Sequence, residues 1–105
     1  MSGVLIMMCE EKIYVKDKVT ILYCECSLGI YIINIKSENQ QEGKGTKVLK
    51  EFIENKSTDI YLYAIGEFNI STEKLVNWYE KLGFIKTNII IPDIPYKCSH
   101  VLYNN

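Results

Sequence analysis

Gln40-Gln41-Glu42-Gly43-Lys44-Gly45-Thr46-Lys47-Val48-Leu49 follows an apolar strand and opens a helix, and its reading decides the fold. Its two glycines sit where the backbone must turn tightly and where a ligand could come close. The first amides of a helix have no internal partners and carry the positive end of its dipole. A Gly-rich turn into a helix is therefore suited to an anion, commonly phosphate. The same turn can also simply join a strand to a helix. A Walker loop needs Gly-x-x-x-x-Gly-Lys-Ser/Thr, which the chain lacks. A dinucleotide fingerprint needs a third glycine where Val48 stands.

Working outward, Ile30–Lys36 before the loop is almost continuously apolar, interrupted by Asn34, as expected of an interior strand. Val4–Cys9, Ile13–Val15 and Val19–Cys26 read as earlier strands of an antiparallel meander. After the loop, Val48, Leu49, Phe52 and Ile53 fall on one helical face up to Asn55. Lys47/Glu51 and Lys50/Glu54 are spaced for helix-surface ion pairs. Asp59–Ile65 is the next strand. Strand, helix, strand makes a βαβ unit, so the two strands should be parallel, with the Gly loop at their carboxyl end. Gly66–Ile70 reads as a loop. Ser71 is an N-cap, Leu75, Val76, Trp78, Tyr79 and Leu82 form an apolar stripe, and Gly83 is the stop. Ile85–Ile91 and Tyr96–Tyr103 are expected as a final antiparallel pair around Pro92-Asp93-Ile94-Pro95.

Composition narrows the function. The 105 residues suit one domain, and a 48% hydrophobic content argues against disorder. The net charge is −1, and all 12 basic side chains are lysine, a poor match to nucleic-acid binding. No apolar run approaches a membrane span. Cys9, Cys24, Cys26 and Cys98 show no Cys-x-x-Cys spacing and suit free thiols in a reducing cytoplasm. Cys24-x-Cys26 with Cys98-x-His100 could make a zinc site if their strands met, although such pairs usually come from loops; no metal is expected.

Gln40-x-x-Gly43-x-Gly45, between a buried strand and a helix, resembles the Gln/Arg-x-x-Gly-x-Gly/Ala signature of the GNAT family of N-acetyltransferases. Some thirty residues on, Leu75-Val76-Asn77-Trp78-Tyr79-Glu80-Lys81-Leu82-Gly83-Phe84 resembles the family's second signature. The resemblance covers about residues 19–105. It implies an α/β fold, of mixed α+β type: a mostly antiparallel twisted sheet of about 6–7 strands with one splayed parallel pair and two main helices. The implied activity is transfer of an acetyl group from acetyl-CoA to a primary amine by direct attack. Backbone groups near Ile33 and Ile35 would hold the pantetheine arm. The Gln40 signature and the amides of Gln41, Glu42, Gly43, Lys44, Gly45, Thr46 and Lys47 would hold the pyrophosphate.

Tyr79 occupies the family's general-acid position; on periodicity alone it reads as a core tyrosine. Thr72 or Ser71 stands where the family usually carries a pantetheine-binding asparagine. The base is not named by the sequence; Glu38, Glu25 and Asn34 with a water are candidates. His100 lies on the last strand, whose family counterpart can approach the acceptor, although a lone histidine near a terminus is more often exposed. Members usually have a strand and two helices before the meander. Met1–Lys18 reads as strands instead, which would leave the acceptor side open. An open side suits a protein lysine or N-terminus better than a small amine, and a homodimer could restore the wall. The alternatives are an acyl-CoA-binding domain without turnover, a small-amine acetyltransferase, and a structural domain with an unliganded Gly turn.

Overall fold

The computed structural model describes residues 10–37, 43–66 and 70–104. The expected strand Val4–Cys9 lies outside them, as do Glu38, Gln40, Gln41 and Glu42. Among the described residues, strands β1 (Lys12–Lys16), β2 (Val19–Cys26), β3 (Gly29–Ser37), β4 (Ile60–Leu62), β5 (Ile85–Lys86) and β6 (His100–Leu102) form one sheet in the order β1-β2-β3-β4-β6-β5. Helices α1 (Lys44–Glu54) and α2 (Thr72–Lys81) complete the mixed α+β architecture. None of the described helices is long and apolar enough to cross a membrane.

The β1–β2 hairpin turns on Asp17 and Lys18, both at positive φ (52° and 65°), as a turn matched to strand twist requires. β2 and β3 pair antiparallel from Val19↔Ser37 to Cys26↔Gly29. One extra residue, Ile33, interrupts that ladder, because Leu22 faces Asn34 while Tyr23 faces Ile32. β3 and β4 are parallel, as the βαβ reading requires, but only over Ile30↔Ile60, Tyr31↔Tyr61 and Ile32↔Leu62. Beyond Ile32, β3 continues beside β2, while the chain after Leu62 stays with the β6 side. There the Ala64 amide donates to Ser99 Oγ (2.8 Å) and the Ser99 amide to the Leu62 carbonyl (2.9 Å). The sheet is therefore split at the carboxyl ends of its parallel pair.

Both helices cover the first face. Val48, Leu49, Phe52 and Ile53 of α1 are buried against Val19, Ile21, Ile30 and Ile60, the face the 3.6-residue period selects. Tyr14 and Tyr23 meet the Phe52 ring edge-on at 5.4 and 5.0 Å. Glu51 binds Lys16 on β1 at 2.8 Å, so the ion pair that forms here crosses from helix to sheet rather than running along the helix. Ser71 caps α2 by accepting the Lys74 amide (3.2 Å), and Gly83 leaves the helix at φ 109°.

The second face corrects the expected final hairpin. Ladder pairing keeps only Ile85–Lys86 and His100–Leu102 of the long strands expected at Ile85–Ile91 and Tyr96–Tyr103. Between them the chain lies over the sheet as a strap. Ile91 and Ile94 are buried with Cys24, Tyr31, Tyr61 and Val101, and Tyr96 stacks on Tyr31 at 5.2 Å. Pro92 and Pro95 have no N–H to give a ladder, and Ile91 and Ile94 are buried against the tyrosines instead. Asp93 pins the strap by accepting the Ser27 amide (2.8 Å) and hydroxyl (2.9 Å). Likewise β4 is shorter than the expected Asp59–Ile65 because its parallel partner leaves after Leu62.

Candidate functional site

The split between β3 and β4 opens a groove of about 740 Å³. Ile32 and Leu62 lie where the strands part. Ile33, Asn34 and Ile35 line one wall, Tyr63 and Ile65 the other, and Leu75, Trp78 and Tyr79 of α2 close one side. A second hollow of about 340 Å³ continues toward the start of α1, lined by Gly43, Gly45 and Thr46. Ile35, Ser37, Ile70, Leu75 and Trp78 line both, so the two are one passage.

At the α1 end, Gly43 is the N-cap residue, in left-handed geometry at φ 68°, and supplies no side-chain cap. The first intrahelical bond runs from the Lys47 amide to the Gly43 carbonyl (3.2 Å). The preceding amides of the turn have no intrahelical acceptor by geometry. The helix has no acidic residue in its first turn, so its positive end is not neutralised there. Trp78 Nε1 donates to Thr46 Oγ1 at 2.7 Å, fixing the start of α1 to α2. Nothing in the sequence signals this bond, which spans 32 positions.

Tyr79 is buried on α2, packed between Trp78 (4.9 Å) and the edge of Phe84 (5.5 Å), with its side chain on the groove. Burial raises its phenol above the ordinary tyrosine range, so the hydroxyl keeps its proton at neutral pH.

The structure thus brings together Ile33, Ile35, Gly43, Gly45, Thr46 and Tyr79 of the expected site residues. Lys44 and Lys47 sit in the first turn of α1 but do not line the passage. Thr72 does not line it either; its hydroxyl accepts the Gly66 amide at 2.9 Å. Of the candidate bases, Asn34 lines the groove, whereas Glu25 lies toward the opposite end of β2 and pairs with Lys12 at 3.4 Å. His100 is not exposed. Its ring is buried between Ser99 Oγ on Nδ1 (2.8 Å) and Glu80 Oε2 on Nε2 (3.1 Å), which links β6 to α2. Cys98 packs on the second face with Cys24 and Cys26, so the zinc pairing with His100 does not assemble.

No family model, curated protein or solved structure matches the chain.

Proposed function

We propose that this chain is an N-acetyltransferase that moves an acetyl group from acetyl-CoA to a primary amine. The observation that carries the proposal is the single passage joining the uncapped, glycine-bounded start of α1 to the split parallel pair, with Tyr79 on its wall. Three features support an elongated nucleotide thioester. The α1 end offers amides and a helix dipole for a pyrophosphate. The middle is a trench lined by Ile35, Leu75 and Trp78. Past Ile32, the β3 edge facing the split is not paired with β4, leaving backbone groups for an extended arm.

When bound, acetyl-CoA supplies an activated acyl carbon. The amine nitrogen attacks that carbon, the carbon–sulfur bond breaks, and the sulfur leaves with the electron pair. Tyr79 holds a proton at its hydroxyl oxygen and donates a hydrogen bond to the leaving sulfur. A thiol of ordinary pKa near ~8.5 is a stronger acid than this raised phenol. Tyr79 therefore stabilises the thiolate as it forms, and water completes the protonation. Asn34 on the groove wall can orient a water that carries the amine's proton away.

The raised phenol also favours a second reading, an acyl-CoA-binding domain without turnover. Tyr79→Phe separates the two. For the enzyme, acetyl-CoA affinity should stay within about threefold, while kcat falls by about 100-fold, the lower range for removing one hydrogen-bond donor aimed at developing charge. The variant keeps the ring that packs between Trp78 and Phe84, so the fold should be retained. An unchanged kcat would remove Tyr79 from the chemistry. Acetyl-CoA binding with no turnover of any amine by the wild type would favour the second reading.

A further inference from the structure

The second-face side of the groove differs in character from the side that meets α1. Lys18, Thr20, Leu22, Asn34 and Lys36 line it, and none of them lines the hollow beside Gly43 and Gly45. Thr20, Leu22, Asn34 and Lys36 share the second face of the sheet, because Val19, Ile21, Tyr23 and Ile35 belong to the first-face core, and Lys18 lies in the adjoining β1–β2 turn. Cross-strand register sets the four strand residues in two rows, Ile13–Leu22–Asn34 and Val15–Thr20–Lys36. The strap covers Tyr31 and Tyr61 farther along this face, whereas Ile13 and Val15 remain 64% and 62% exposed. The result is an open platform of apolar and hydroxyl groups with two lysines at the mouth of the groove. Neither lysine makes an ion pair among the described residues, and no carboxylate is among the described lining residues.

We propose that this platform receives the α-amine of a polypeptide N-terminus whose first residues are acidic. The inference rests on the acetyltransferase reading and adds the acceptor to it. Two cations at the groove mouth repel a polyamine and attract a segment bearing carboxylates. They also disfavour the ammonium form of an incoming amine and so lower its pKa. The starting pKa then decides which amine is used. At pH 7.5 an α-amine of pKa about 7.8 is about one third uncharged, whereas a lysine of pKa about 10.4 is uncharged roughly once in 800. The α-amine begins with an advantage of about 250-fold in attacking form. The exposed Ile13 and Val15 give the rest of the segment an apolar surface to lie on, which a small amine could not use.

The test uses the full chain and matched peptides with acidic, neutral or basic residues after a free N-terminus, plus acidic peptides with a blocked N-terminus and an internal lysine. Peptide binding is read by fluorescence anisotropy without acetyl-CoA, and the modified atom by mass spectrometry after acetyl-CoA is added. The acidic N-terminal peptide should bind about tenfold more tightly than the neutral one at low salt, as two surface ion pairs allow, and become acetylated on its α-nitrogen. Salt should erase that preference. Lys18→Gln with Lys36→Gln should remove it, and the double Glu variant should reverse it, with unchanged circular dichroism. Acetylation of the internal lysine, or equal use of acidic and basic N-termini, overturns this inference while leaving the acetyltransferase reading intact. A chain that dimerises through this face and takes no peptide also overturns it. Failure to bind acetyl-CoA in the first place overturns the underlying reading.

Discussion

Alanine at the two glycines of the α1 loop should change stability in opposite directions. Gly43 holds φ 68°, and a Cβ there would meet nothing within 4 Å. The cost of Gly43→Ala is therefore purely conformational, about 1–2 kcal/mol for an L-residue in left-handed geometry. Gly45 lies inside α1, and its Cβ would meet Trp78 Cζ2 at 3.9 Å, an ordinary contact. Gly45→Ala therefore adds no clash and removes glycine's helix penalty, a gain of up to about 1 kcal/mol. The two variants should differ by about 2 kcal/mol. For a domain near this size each kcal/mol moves Tm by about 4–8 °C, so the melts should separate by at least ~8 °C. Circular-dichroism melts and urea titrations measure this directly, and Gly43→Asn should recover part of the loss because asparagine tolerates this geometry. Gly45→Ala should also keep acetyl-CoA binding, since the methyl group has room. Equal destabilisation by both alanines would show that α1 does not start at Lys44 as described.

Two further outcomes follow from other contacts. The Ser27 amide and hydroxyl hold the Asp93 carboxyl below its ordinary value of 3.8. A carboxyl lowered by folding contributes stability above its unfolded pKa and loses it as pH falls through the lower folded value. Asp93→Asn should thus flatten the decline of stability below about pH 4; an unaltered acid limb in pH-dependent urea titrations would mean the strap is not pinned there. A Cβ on Gly66 would overlap the Ile70 carbonyl and Thr72 amide, both backbone, so Gly66→Ala should lose about 1–3 kcal/mol. A wild-type Tm for that variant would contradict the close crossing ahead of α2.

The parts of the fold that periodicity specifies were readable in the chain. Val48, Leu49, Phe52 and Ile53 mark a helix face whatever they pack on, and Ser71 and Gly83 bound α2 through local backbone chemistry. The βαβ order by itself implies the parallel pair of β3 and β4. The strap was not readable, because Ile85–Ile91 has strand-like composition and its burial depends on Tyr31 and Tyr61, far away in sequence. His100 was misjudged as exposed for the same reason: Glu80, its partner on α2, is 20 positions distant. The place of Thr72 beside a cofactor comes from a motif alone, and the Gly66 amide that donates to its hydroxyl has no sequence signal. Lys18 and Lys36 carry no signal among 12 lysines; the β1–β2 turn and the β3 register bring both to one groove.

The central claim is that the passage from the α1 start to the split sheet holds acetyl-CoA. Calorimetric titration of the purified chain with acetyl-CoA, repeated with Gly45→Glu, tests it most directly. A Cβ at Gly45 would make only an ordinary contact with Trp78, so the variant should fold, while its carboxylate would repel a pyrophosphate at the helix start. The account predicts micromolar binding by the wild type and its loss in the variant. A well-folded wild type that binds no acetyl-CoA, or a Gly45→Glu variant that binds it equally well, would contradict the account.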